Sequence, residues 1–217
     1  MPTGKHQVAP VRRTQSERRA ETRRRVLDAA TALVAQHGSR AVSLADVGNA
    51  AGYSRGIVNH HFGSKARLLE ALIEHTQNFD VPTDAPNGLG RLTAIIETYL
   101  GTVRQRSPSS EAFLKLWTES AGAEPSLQAM FVERDAWFRR LLVEHVRDGI
   151  ADGSIRDDVD PASTALMIVG TLRGTAMLLM STARDVPAAA LSLDVGDVIT
   201  RGLSTRARAE QGESGDG

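Results

Sequence analysis

Cysteine is absent from the 217 residues, which removes disulfides, thiolate metal sites and cysteine nucleophiles together and fits a reducing compartment. Aromatic residues are scarce, at 4%, so a core must be assembled mainly from Leu, Val, Ile and Ala. No apolar run approaches the roughly 20 residues that cross a bilayer, and no apolar segment follows the N-terminal charges. A cytoplasmic chain with no membrane partner is expected. Gly4-Lys5 lacks the upstream glycine and strand of a phosphate loop, and no histidines stand at metal-binding spacing. The chain is therefore expected to need no cofactor or metal and to be no enzyme. Alternating apolar and polar positions appear nowhere, which predicts an all-α fold.

What is present is an uneven distribution of charge. The 26 basic and 26 acidic side chains cancel, yet residues 1–67 carry 12 Lys and Arg against 4 Asp and Glu, and residues 68–217 carry 14 against 22. A basic terminal module on an acidic body is the footprint of a protein that meets nucleic acid at one end only. A basic arm with no particular task has the same composition.

Residues 1–20 mix Pro2, Gly4 and Pro10 with Arg12, Arg13, Arg18 and Arg19 and carry no apolar stripe, so a disordered basic arm is expected. From Glu21, Val26, Ala29, Ala30, Leu33 and Val34 recur at helical spacing and Gly38 stops them, which predicts a first helix over 21–37. Ser43 caps a second helix, 44–51, that Gly52 ends; Ser54 caps a third, 55–61; Ser64 opens a fourth with Leu68, Leu69, Leu72 and Ile73 inside. Pro82, Pro86, Gly88 and Gly90 mark 80–90 as a linker, so residues 21–79 form one domain and 91–206 another, with 207–217 a disordered tail. In the second domain, helices are expected around Leu92–Val103, around Phe113–Trp117, over 125–151 and 161–183, and over 194–206.

The segment SLADVGNAAGYSRGIVNHHFGSKAR, residues 43–67, has the layout of a helix pair that reads DNA: a short helix, a glycine-containing turn and a second short helix sized for the major groove. On a 3.6-residue period Arg55, Gly56, Asn59 and His60 share one face, and Val58, His61 and Phe62 lie largely on the other. Gly56 would let the duplex come close, and Arg55 and Asn59 suit purine edges or phosphates. Ser43 and Lys65 stand beside helix N-termini, where phosphates are held. Other duties are open to the same residues: Ser43 and Ser54 are caps, Lys65 can be a solvated charge, and the histidines can be plain surface and core residues.

From Arg23-Arg24-Arg25-Val26-Leu27-Asp28-Ala29-Ala30 through Gly52-Tyr53-Ser54-Arg55-Gly56 to His60-His61-Phe62-Gly63-Ser64-Lys65 and Leu68-Leu69, residues 23–73 resemble the DNA-binding domain of the TetR family of transcriptional regulators. The resemblance implies an N-terminal helix-turn-helix domain of three to four helices and a C-terminal helical domain for ligand binding and dimerisation. It implies a repressor that a small-molecule effector releases from double-stranded, near-palindromic operator DNA. It also implies DNA contacts at Ser43, Tyr53, Ser54, Arg55, Gly56, Asn59, His60 and Lys65. Two positions depart from the family pattern: Asn59 stands where a tyrosine is usual, which makes a bidentate bond to adenine possible, and Ile57 stands where Thr or Ser is common. The arginines at 12, 13, 18, 19 and 23–25 are candidates for nonspecific backbone or minor-groove contacts, or a solvated face.

The resemblance places an effector cavity and a homodimer interface in the body. The helices over 125–151 and 161–183 are the expected dimer pair, with Gly170 and Gly174 one turn apart for close contact; packing within one subunit would use them equally well. Phe113, Trp117, Phe131, Trp137 and Phe138 are the aromatic side chains available to line a cavity, or simply to fill a core. Arg173, inside an apolar helix, can meet an anionic ligand or an acidic residue of the body, the latter being favoured.

Overall fold

The computed structural model describes residues 14–76, 84–122, 125–181 and 188–205. Helices α1 (Gln15–His37), α2 (Leu44–Ala51), α3 (Arg55–Phe62) and α4 (Lys65–Thr76) build an N-terminal head. The body follows with α5 (Gly88–Arg104), α6 (Pro108–Ser120), α7 (Pro125–Ala151), α8 (Pro161–Ser181) and α9 (Ala188–Leu203). Among the described residues there is no strand, only an isolated bridge from Ile155 to Ser204, so the fold is all-α as the missing alternation implied.

Helix α1 begins at Gln15, inside the stretch expected to be a disordered arm. Thr14 accepts a hydrogen bond from the Glu17 amide, and the Glu17 carboxylate accepts one from the Thr14 amide. This reciprocal cap satisfies two orphan amides well before the apolar stripe starts at Val26. Arg18 and Arg19 are therefore helical and exposed, while Arg12 and Arg13 lie outside the described residues. Helix α5 likewise starts at Gly88, capped by Asn87, so the last residues of the expected linker are its first turn; residues 80–83 lie outside the described residues. The start of α9 at Ala188 also precedes the expected 194.

Head and body share one hydrophobic cluster. Val26, Val47, Val58, Phe62, Leu68 and Leu72 of the head pack in continuity with Val103, Phe113, Leu116 and Phe131 of the body. A second cluster fills the far end of the body, around Leu92, Ile96, Leu142, Ile168 and Leu172. Each fully buried Leu or Ile contributes roughly 1.5–3 kcal/mol relative to its exposed state, so a core spanning both regions makes the head a firmly seated part of the molecule. Its loops are tied down as well. The Asp152 carboxylate accepts from the Gly88 amide at 2.7 Å, and Ser154 Oγ from the Leu89 amide at 3.2 Å, so the turn after α7 completes the cap of α5.

By length and composition α8 passes for a membrane span, which corrects the reading that no apolar run approaches that size. Half of the relevant window is buried within the fold, and Arg173 lies in its middle, so its apolar character serves the core. On the neighbouring α7, His145 is turned inward and neither ring nitrogen has a hydrogen-bond partner in the protein. Burial, and then the charge of Arg91, push its pKa below the usual histidine value against the opposing pull of Asp148 and Glu144. The unfolded chain then takes up a proton near pH 6.5 that the folded chain refuses, so stability is highest above that pH and declines as pH falls through it. Comparing urea midpoints at pH 7.5 and 5.5 is expected to show this loss, and His145→Gln to reduce it. Asp46, Asp152 and Asp160, whose carboxyls hydrogen bonds hold below the ordinary range, lose their contribution only at lower pH.

Candidate functional site

The turn between α2 and α3 is built on two glycines with different tasks. Gly52 adopts the left-handed conformation (φ 77°) that closes α2. Gly48 is buried, and a Cβ there would meet the Tyr53 carbonyl at 2.8 Å and the Ser54 carbonyl carbon at 3.2 Å. Only a residue without a side chain lets α2 lie this close under the turn, and the Tyr53 amide donates to the Gly48 carbonyl at 2.8 Å across it. Sequence reasoning missed Gly48, although a glycine inside a short helix is the signal of a close approach.

Helix α3 then divides sharply. Val58 and Phe62 are buried in the head core, whereas Arg55, Gly56, Ile57, Asn59 and His60 are exposed. The exposed face includes the four residues that helical periodicity assigned to it and adds Ile57, an apolar side chain 40% exposed. At Gly56 an added Cβ would meet only Ser54 Oγ, at 3.7 Å, so nothing inside the fold requires a glycine there. His61 is half-buried beside Arg19, Arg23 and His60, and burial first, then those charges, lowers its pKa. It is therefore neutral at pH 7 and contributes no charge to the surface.

The flanking candidates have intramolecular partners. Ser43 Oγ accepts from the Asp46 amide at 3.2 Å and bonds the Asp46 carboxylate at 2.6 Å, completing a reciprocal cap for α2. Ser54 Oγ accepts from the Ile57 amide. Lys65 Nζ reaches the Arg40 carbonyl at 3.4 Å. Tyr53 packs on the core and its hydroxyl accepts from Thr22 Oγ1 at 3.4 Å, fastening the turn to α1. Among the arginines of α1, Arg24 and Arg25 pair with Glu21, at 3.0 and 2.8 Å, and Arg23 lies over the Phe62 ring at 5.1 Å.

In the body, a cavity opens between α4, α5, α6, α7 and α8. Its free volume is about 70 Å³, within about 630 Å³ of atom-free space that runs out into solvent. Phe113, Phe138 and Arg173 line it, with Tyr99, Ser110 and Arg134 also in its wall. The other three aromatic candidates do not. Phe131 is buried against Phe113, ring centres 5.5 Å apart, Trp117 supports Arg173 from below at 5.1 Å, and Trp137 is 42% exposed on the outer surface of α7. Arg173 itself is buried and pairs with Asp135 at 3.0 Å, the internal acidic partner that an arginine in an apolar helix calls for.

Comparison with known proteins fits this architecture at both ends. Residues 26–72 match the profile of the bacterial regulatory proteins of the tetR family. Residues 89–204, over half the chain, match the C-terminal profile of BetI-type transcriptional repressors. The chain belongs to the TetR family. It is thus a DNA-binding transcriptional regulator. Among curated TetR-family relatives, the transcriptional regulator CymR of Pseudomonas putida is 43% identical over 67 residues, 31% of this chain and 33% of CymR. The transcriptional repressor KstR2 of Mycolicibacterium smegmatis is 27% identical over 149 residues, 65% of this chain and 71% of KstR2. The chain therefore spans a third of the one and somewhat over two thirds of the other. Of solved TetR-family folds, a regulator from Rhodococcus sp. superposes with a TM-score of 0.72 at 21% identity, covering 85% of this chain and all of that one. A regulator from Saccharomonospora viridis in complex with choline gives 0.69 at 20% identity, covering 85% and 98%.

What this TetR-family chain adds is a tie between reading head and body that no sequence motif advertises. The Glu119 carboxylate, at the end of α6, accepts from the Ser39 amide with both oxygens, at 3.1 Å each, and from the Ser39 hydroxyl. Lys115 Nζ, one turn earlier, donates to the Gln36 carbonyl at 2.9 Å. The same helix presents Ser110, Phe113 and Leu114 to the cavity. One rigid element thus touches the cavity with one end and the start of the helix-turn-helix with the other.

Proposed function

We propose that the protein is a homodimeric repressor, acting in the cytoplasm by binding rather than turnover, which holds near-palindromic operator DNA until a small molecule enters the body cavity. The observation that carries this reading is α3, a helix sealed into the core by Val58 and Phe62 and left bare on the side that bears Arg55, Gly56, Ile57, Asn59 and His60. In the major groove Asn59 would pair with an adenine edge, Arg55 with guanine or phosphate, and Ile57 with a thymine methyl. His60 would add a base or backbone contact. Ser43, Tyr53, Ser54 and Lys65 would flank this face with contacts to the phosphate backbone, helped by the amides of helix starts.

Two heads must sit about 34 Å apart to read successive turns of one duplex face. The dimer surface best supported pairs α8 with α9. Leu166, Met167 and Leu178 of α8 and Leu193 and Val198 of α9 are exposed apolar residues, and Gly170 and Gly174 leave open space above α8. The expected pair, 125–151 with 161–183, retains α8, whereas α7 packs on α4, α5, α6 and α8 and exposes only Val132 and Trp137 among its large apolar side chains.

Selection from a randomised duplex pool, repeated across salt concentrations, tests the reading. A two-fold-symmetric site with a steep salt slope supports it; uniform weak binding that salt abolishes removes it. A sharper check uses Gly56→Ala, which is expected to stabilise the head by up to about 1 kcal/mol, since alanine is the better helix former. If α3 lies against DNA, the same methyl should weaken operator binding at least tenfold. A stabilised variant with full operator affinity would remove α3 from the interface.

A further inference from the structure

The cavity wall holds two buried polar atoms that make no well-formed hydrogen bond. Arg173 pairs through Nη2 with Asp135, and its Cζ lies 4.6 and 5.1 Å from the ring centres of Phe113 and Trp117. Its Nη1 is buried and has no hydrogen-bond partner in the protein. The Tyr99 hydroxyl is buried within the hydrogen-bonding influence of the same guanidinium, which opposes the upward push of burial on its pKa, but it makes no well-formed hydrogen bond. Burial keeps that phenol in its protonated, donating form. Unpaired buried donors are costly and rare in native proteins, and both of these belong to the wall of one cavity. Arg134 stands in that wall too, beside Trp137 and with its charge disfavoured by burial and by Arg173.

Resting on the repressor reading above, we infer that the effector is a slim, largely apolar monoanion, a carboxylic acid whose carboxylate bonds Arg173 Nη1 and the Tyr99 hydroxyl while its body lies between Phe113, Leu114, Val103 and Phe138. Donors decide the chemistry. Arg173 Nη1 and the Tyr99 hydroxyl both donate and call for an acceptor, and the Arg134 guanidinium stands in the same wall, with Asp135 and Glu74 near enough to offset part of the positive charge. The Phe113 and Trp117 faces, which could help cage a quaternary ammonium, already hold the Arg173 guanidinium. A choline-like cation would therefore meet two guanidiniums in the wall and find the Phe113 face taken. The narrow free space favours a flat ring or a single alkyl chain over a fused polycycle.

The test uses the full-length dimer in calorimetry, with phenylacetate and octanoate as probes and phenylacetamide, octanamide and choline as matched neutral and cationic controls. At least one carboxylate is expected to bind at least tenfold more tightly than its amide, with no heat from choline. Tyr99→Phe keeps the ring and the packing, and is expected to weaken the carboxylate roughly tenfold while leaving the amide unchanged. Equal affinity for acid and amide, binding of choline, silence from both carboxylates, or indifference to Tyr99→Phe would each overturn the assignment. Operator binding is measured separately. A carboxylate that binds without releasing DNA keeps this site and defeats the release mechanism, whereas release by an amide or by choline does the reverse.

Discussion

Replacing Gly88 by alanine is expected to destabilise the chain by about 3 kcal/mol, the upper end of what overpacking a close contact costs. The added methyl would overlap the backbone nitrogen and Cα of Gly149 and lie 2.8 Å from the His145 carbonyl. None of these can move without shifting α7. The crossing of α5 over α7 is a backbone-to-backbone contact, and a Cβ on Gly149 would in turn run into Ile155. Separating the helices would also pull Gly88 and Leu89 from the caps that Asp152 and Ser154 supply. Urea unfolding measures the cost, and Gly101→Ala on the same helix is the control. Nothing lies within 4 Å of a Cβ at Gly101, so that change is expected to be neutral or to stabilise by up to about 1 kcal/mol. Equal behaviour of the two variants would exclude the close crossing.

Glu119→Gln is expected to have its largest effect on communication. The carboxylate holds three hydrogen bonds to Ser39. Bonds to a charged acceptor contribute about 1.5–3 kcal/mol each where they are shielded from water, and the partial exposure of this group places it low in that range. An amide in its place keeps the shape and loses the charge and one acceptor. Ligand binding in the cavity and operator binding in its absence should change only a few-fold. The factor by which a cavity ligand weakens operator binding, about 5 to 150 in coupled systems, should fall toward one. Titrating operator with and without the ligand gives that factor directly. Its survival in the variant would move the coupling to α4, which reaches the cavity through Thr76.

The head was legible in the sequence because its signals are local. Caps, glycine stops and apolar spacing each act within one turn, so α2, α3 and α4 and the bare face of α3 could be read from residues 43–73. The early start of α1 was equally local, written in Thr14 and Glu17, but the density of arginine and the late apolar stripe concealed it. In the body the helices were readable and their neighbours were not. Phe113, Phe131, Trp137 and Phe138 look alike as aromatic residues on helices, and only the three-dimensional arrangement separates the cavity wall from the core and the outer surface. The same holds for Glu119, Gly48 and Gly88, whose importance depends on what lies opposite. A single apolar stripe also cannot announce that α8 faces inward on one side and offers Leu166, Met167 and Leu178 outward on the other.

Because the outward residues of α3 carry no load in the core, they are free to drift. Arg55, Ile57, Asn59 and His60 could each be exchanged at a cost within about 0.5 kcal/mol of folding stability, as at other unburdened surface positions. On the proposed reading of DNA by α3, a duplicated copy of this gene would acquire a new operator by a handful of substitutions on one helix, leaving its thermal tolerance and the cavity in its body intact.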